Sequence, residues 1–222
     1  MFPFMSNIIF LGPTMDVVEA QQILDADYRP PAKKGDFLGL ATMPEGKHFV
    51  GFIDGVFLHD YPPSPIEVYQ LLLKKNFFLA GSSSLGALRA VELEKYGMIG
   101  IGKVFELYKK GIIFADDEVA VTYAPGDYKL QSEAMVDVRF NIFLARKRGI
   151  ISEFCRSLLT KEAKALYFPY RTYETIINVC LKKFPSIHEE LKNFQKYISA
   201  NRTSIKERDA KKLLKFLKAQ AT

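Results

Sequence analysis

The sequence predicts an α/β protein, a mostly parallel sheet with flanking helices followed by a C-terminal helical region. Three observations carry that expectation. Apolar runs of strand length end at glycine, serine or aspartate turns and lead into helical periodicity, three times in succession with short connections. The 222 residues are 48% hydrophobic and 25% charged, a globular composition that excludes general disorder and suits one domain plus an appendage. Charge is divided: residues 1–140 carry 13 Lys+Arg against 18 Asp+Glu, and residues 141–222 carry 18 against 7. The expected organisation is an α/β core over residues 1–131 and a basic helical region over residues 132–222 packed on it.

Ile8–Leu11 is the first strand-like run, stopped by Gly12-Pro13-Thr14, with helical spacing at Val17, Val18, Ile23 and Leu24 and Thr14 as candidate N-cap. Asp27-Tyr28-Arg29-Pro30-Pro31 must be extended, because proline excludes helix and restricts the residue before it. Lys33-Lys34-Gly35-Asp36 then turns the chain, and Asp36 caps a short helix through Leu40. Phe49–Ile53 is a buried-strand run ending at Asp54-Gly55. Ser64-Pro65-Ile66-Glu67 has the form of a capping box with proline at the first helical position, so a helix is expected over Pro65–Lys75. Phe77–Ala80 is the next strand, ending at Gly81-Ser82-Ser83-Ser84, with helical spacing over Leu85–Glu94. Gly97, Gly100 and Gly102 precede a helical stretch, Val104–Lys110, and Val119–Thr122 reads as a further strand. From Ser132 the chain reads helical, with breaks near Gly149, Pro169, Pro185 and Asn201–Thr203.

No apolar run approaches the roughly 20 residues of a membrane span, and the apolar start lacks the basic segment of a signal peptide. Cys155 and Cys180 form neither a CxxC pair nor a disulfide framework and read as buried thiols. A cytoplasmic location follows. The basic C-terminal region suits nucleic acid, an anionic surface or an acidic protein partner, against the plainer reading of a solvated lysine-rich face.

In a parallel sheet the loops after the strands share one edge, where ligands bind. Gly12–Thr14, Lys33–Asp36, Asp54-Gly55 and Ser82–Ser84 fall on that edge if Tyr28–Pro31 runs parallel to the other strands. A serine between strand and helix points its hydroxyl out of the sheet, where helix-start N–H groups at Leu85-Gly86 stabilise an oxyanion; the alternative is a helix cap. Such a nucleophile needs a base. His48 precedes a strand at the opposite end, His59 is placed for exposure, and His188 is remote, so lysine is the natural substitute. Adjacent Lys33 and Lys34 would depress each other's pKa; the alternative is an ordinary basic turn. Asp54 is suited to orient a base or bind a ligand hydroxyl, or else to cap its turn, and Arg89 either faces the site or pairs on the surface. Gly12-Pro13-Thr14 lacks the glycine pattern and lysine of nucleotide-binding loops. Asp116-Asp117-Glu118 has oxygen donors for a metal but no histidine partner, and reads as a solvated turn.

In order along the chain, Ile9–Thr14, Arg29–Asp36, Gly51–Gly55, Ala80–Ala90, Tyr96–Gly102 and Asp116–Ala120 resemble the TfuA family, with fainter echoes at Tyr170-Arg171-Thr172 and around Lys206 and Asp209. The resemblance implies a role in peptide backbone thioamidation beside a YcaO enzyme. There a TfuA protein hydrolyses a thiocarboxylated ThiS-like sulfur carrier through a serine–lysine pair and assists YcaO in holding its peptide or protein substrate. Ser84 occupies the family's serine; for the family's lysine, position on the edge favours Lys33 or Lys34, with Lys103 as competitor, set aside because the helix before it should run away from the edge. Gly12, Pro13, Thr14, Asp36, Asp54, Gly55, Ser83, Gly86 and Arg89 are the candidate substrate- and partner-binding positions. Neither metal nor organic cofactor is needed by that chemistry. Two other readings remain: a non-catalytic adaptor docking YcaO, carrier and peptide, and, ranked last for lack of a recognised motif, a nucleic-acid binder using the basic helices.

Overall fold

The computed structural model describes residues 5–57, 61–124 and 126–220; His59 lies outside them. By its internal contacts the chain forms two compact units, residues 1–116 with 206–222, and residues 117–205. The division differs from the 131/132 boundary expected, since the final helix returns to the α/β unit.

In the first unit, β1 (Met5–Phe10), β2 (Asp27–Arg29), β3 (Lys47–Phe52), β4 (Phe77–Ser82) and β5 (Ile99–Ile101) form one all-parallel sheet in the order β2-β1-β3-β4-β5. The connections are α1 (Val17–Ile23), α2 (Asp36–Leu40), α3 (Pro65–Leu72) and α4 (Leu85–Leu93), with α5 (Lys103–Lys109) after the last strand. The strand order reverses between β1 and β3, which sets the loops following those two strands at the switch point of the sheet. The extended segment at Tyr28 does run parallel, pairing Ile8–Phe10 with Asp27–Arg29.

Side-chain alternation along β1 fills both faces. Ile9 points into a cluster with Phe49, Ala20 and Leu24, while Phe10 meets Phe37 and Phe52 on the other face at ring distances of 5.1 and 6.3 Å. The first cluster is closed by Ala210, Leu213, Leu214 and Leu217 of the C-terminal helix. Gly51 makes room for it: a Cβ there would stand 2.6 Å from Ile9 and 2.9 Å from Leu213.

Several local expectations change. Asp16 caps α1, accepting from the Val18 and Glu19 N–H groups, because Thr14 is engaged elsewhere. Gly35, at φ 98°, is the cap of α2, and Asp36 sits at its first position accepting from Lys33 N–H. Ser64 caps α3, but Glu67 does not complete a capping box; its carboxylate accepts from Gly35 and Phe37 N–H, 2.9 and 3.0 Å away. Ile99–Ile101, passed over among its glycines, is the fifth strand, whereas Val119–Thr122 forms no strand although Val119 and Ala120 are buried. Gly100 lies under the Phe105 ring, so a pattern of glycine and isoleucine is packed as a strand by its neighbour.

The second unit contains α6 (Met135–Lys147), α7 (Glu153–Ala165), α8 (Tyr173–Lys183) and α9 (His188–Asn201), packed around Val138, Ile142, Leu159, Ile176 and Phe194. The breaks fall where glycine and proline indicated. Cys155 and Cys180 are buried free thiols within this core, and burial pushes them up to about 12 and about 11. Helix α10 (Ile205–Gln220) ends the described chain. No helix among the described residues is long and apolar enough to cross a membrane.

Candidate active site

The carboxyl edge of the sheet is assembled by backbone approach. Ala32 bridges Gly55 in parallel, and its N–H donates to the Asp54 carbonyl at 2.9 Å. The Gly86 N–H donates to the Ile53 carbonyl at 3.3 Å. The glycines of the serine turn make this possible. A Cβ on Gly86 would stand 1.7 Å from the Phe52 carbonyl oxygen, and one on Gly81 would stand 2.1 Å from the Gly86 oxygen. The stretch Gly81-Ser82-Ser83-Ser84-Leu85-Gly86 thus presses the start of α4 directly against β3 and β4.

The three serines differ within this turn. Ser82 ends β4 and is buried. Ser83 is fully buried at φ 66°, in the left-handed region a non-glycine residue enters at a cost. Its hydroxyl donates to the Lys206 carbonyl at 2.7 Å and lies 3.3 Å from the Ser82 hydroxyl. Ser84 occupies the N-cap position of α4, yet its side chain makes no capping hydrogen bond. Among the described residues its hydroxyl has no hydrogen-bond partner, and the residue is 2% exposed. The cap alternative for Ser84 is therefore excluded. Gly86 N–H is spent on Ile53, which leaves Leu85 N–H as the helix-start donor beside Ser84.

Helix α10 brings the backbone of a buried lysine to this turn from the far end of the sequence. Lys206, in its first turn, is 3% exposed and is the buried lysine among the described residues. One turn on, Asp209 is fully buried, accepting from Val104 N–H at 2.7 Å and from Lys212 at 3.2 Å. Its carboxylate fills the space where Gly102, at φ 98°, has no side chain. The first turn of α10 is thereby stitched to the β4–α4 turn and the β5–α5 turn. Lys206 and Asp209 are visible in the sequence only as faint family echoes, Lys206 123 residues beyond Ser83.

The other candidates are placed as follows. Lys33 and Lys34 lie on the expected edge but both are exposed, with the Lys34 ammonium 5.7 Å from the Tyr61 ring centre. Neither side chain is buried there. Lys103 follows β5 and so lies on the carboxyl edge, contrary to the expected direction; it is half-exposed and pairs with Glu106 at 3.0 Å. Asp54 is buried, and both its oxygens are occupied: Gly12 and Thr14 N–H donate to Oδ2 at 2.9 and 3.1 Å, and the Thr14 hydroxyl donates to Oδ1 at 2.6 Å. This staple fixes Gly12-Pro13-Thr14 across the switch point. Arg89 turns away, donating to the Pro63 carbonyl at 2.9 Å and pairing with Glu92 at 2.8 Å. His48 is buried at the amino end of β3, hydrogen-bonded to Ser6 and to the Pro44 carbonyl, far from this edge in strand direction.

In the second unit Asp117 and Glu118 form neither a solvated turn nor a metal site. Asp117 pairs with the fully buried Arg171 at 2.8 Å and with Lys164, and Glu118 pairs with Arg139 and Lys164. No group of ligating side chains among the described residues is placed to hold a metal ion.

A comparison with curated proteins finds no match. A family model described as TfuA-like protein matches residues 54–172, more than half of the chain and inclusive of the serine turn, β5 and the Asp117–Arg171 pair. The chain belongs to the TfuA-like protein family.

Proposed function

We propose that this protein is an accessory hydrolase of peptide backbone thioamidation, acting beside a YcaO enzyme in the cytoplasm. It releases sulfide from a thiocarboxylated ThiS-like carrier and assists YcaO in holding its peptide or protein substrate. The observation that carries the reading is the uncommitted Ser84 hydroxyl at a strand-to-helix turn, whose neighbour Ser83 donates to the backbone carbonyl of Lys206, the buried lysine among the described residues. Membership of the TfuA-like family supports the partners.

In this mechanism the Ser84 oxygen attacks the thiocarboxylate carbon. The Lys206 amine, desolvated by burial, takes the hydroxyl proton, and the Leu85 N–H donates to the oxyanion. Collapse breaks the C–S bond, and the proton on Lys206 passes to the departing sulfur, giving hydrosulfide and an ester on Ser84. Water then attacks the ester with Lys206 as base again, returning the proton to Ser84 and releasing the carrier carboxylate. Lys206 replaces Lys33 and Lys34 in this role because they are exposed. Asp54, Gly12 and Thr14 hold the edge in shape.

Purified protein mixed with thiocarboxylated carrier should release sulfide in the absence of YcaO. No sulfide release, together with retained support of YcaO–peptide binding, would replace hydrolysis by the adaptor reading.

A further inference from the structure

Helix α3 is apolar on both sides. Val68 and Leu71 face the core, and Ile66 and Leu73, seven residues apart on the opposite face, are 70% and 63% exposed. Half-buried Tyr69 lies on that face and packs on Tyr96, with ring centres 4.8 Å apart; Tyr96 is itself 49% exposed. A helix in such a position ordinarily turns polar residues to water. Here the face towards water carries Ile, Tyr and Leu around a single polar residue, Gln70, and is continued by a second Tyr, the residue mix of an interface core.

The rim of this patch is positive. Lys74, Lys75 and Lys95 are exposed and have no carboxylate partner among the described residues, and the Lys95 ammonium stands 4.9 Å from the Tyr96 ring centre. The nearby acids are already paired within the chain, Glu92 with Arg89 and Glu94 with Lys109. A two-fold contact with a second copy would set lysines against lysines. We propose that the Ile66–Tyr69–Leu73–Tyr96 face is a docking site for an acidic amphipathic helix of a partner protein, its apolar stripe on α3 and its carboxylates on Lys74, Lys75 and Lys95. The site lies on exposed positions distinct from the serine turn and does not depend on the hydrolase reading.

The test uses a fluorescent 20-residue amphipathic helical peptide with a leucine stripe flanked by glutamates, and the same peptide with lysines in place of glutamates. Anisotropy titrations against the full chain should show binding of the acidic peptide, weakened at least tenfold in Lys74→Glu/Lys95→Glu, in Ile66→Gln/Leu73→Gln and in 0.5 M salt. Both double variants change exposed positions, and their thermal melts should match the parent. Equal binding of the basic peptide, acidic-peptide binding unchanged in both variants, or no peptide binding beside sedimentation with phosphatidylserine vesicles would overturn the proposal. Concentration-dependent dimerisation abolished by Ile66→Gln/Leu73→Gln would also overturn it, in favour of self-association.

Discussion

Three consecutive serines with the same side chain have three different environments. Ser83 spends its hydroxyl on the Lys206 carbonyl from a strained backbone, while the Ser84 hydroxyl has no partner. Removing Ser83 Oγ deletes a buried hydrogen bond to a carbonyl that the helix also pairs, at a cost of about 0.5–1.5 kcal/mol. Ser83→Ala should therefore lower the stability measured by urea denaturation by about that much, and Ser84→Ala should leave it within about 0.5 kcal/mol. Lys206 allows a sharper distinction. Lys206→Arg keeps the charge but cannot serve as a base, because the guanidinium does not deprotonate. Both Lys206→Arg and Lys206→Met should lose sulfide release, whereas a lysine that only supports the fold would be rescued by Arg. Lys33→Ala and Lys34→Ala should keep full activity. Asp54→Asn would present an amide N–H to one of three donors and should destabilise the chain by about 2–3 kcal/mol.

The elements that the sequence revealed most clearly are those with strong period and punctuation: β1, β3 and β4 with their turns. Elements made by neighbours were hidden. Strand β5 depends on Phe105 covering Gly100, and the Phe37 N–H at the start of α2 is satisfied by Glu67, thirty residues away in the chain. The serine turn was legible as a motif, but the partner of Ser83 lies 123 residues on and no local pattern could point to it. Gly86→Ala places a Cβ against backbone in β3, with no flexible atom to yield, and should cost on the order of 4 kcal/mol or prevent folding. Any electrostatic steering by α10 would draw on fewer lysines than the helix carries. Lys211 pairs with Glu19 and Glu207, and Lys212 with Asp209; Lys215 and Lys218 are exposed positions for a charge test. Lys215→Glu/Lys218→Glu should slow association with YcaO or the carrier at low salt and leave the melting temperature unchanged; unchanged rates with both would remove electrostatic steering by α10.

At the scale of the molecule, the division of charge along the sequence does not map onto a simple acidic body and basic tail. The last helix belongs to the α/β unit, and several basic residues of the helical unit are consumed internally by Asp117, Glu118, Glu133 and Glu162. Glu133 gives that unit a pH signature. Burial pushes its carboxyl up to about 7 despite the Arg202 guanidinium 2.9 Å away. A carboxyl raised in the folded state above its usual 4.5 favours folding fully below about pH 4.5, and that contribution is lost as pH rises through 7. Melts followed by circular dichroism should show stability falling by up to about 3 kcal/mol across this interval from Glu133 alone, and Glu133→Gln should flatten that part of the profile.

The central claim is that Ser84 is the nucleophile. Quenching the protein during turnover of thiocarboxylated carrier and mapping the adduct by peptide mass spectrometry addresses it most directly. The carrier acyl group should be found as an ester on Ser84, and be absent in Ser84→Ala and in Lys206→Arg, which lacks the base for its formation. An ester on Ser82 or Ser83, or full sulfide release by Ser84→Ala, would contradict it.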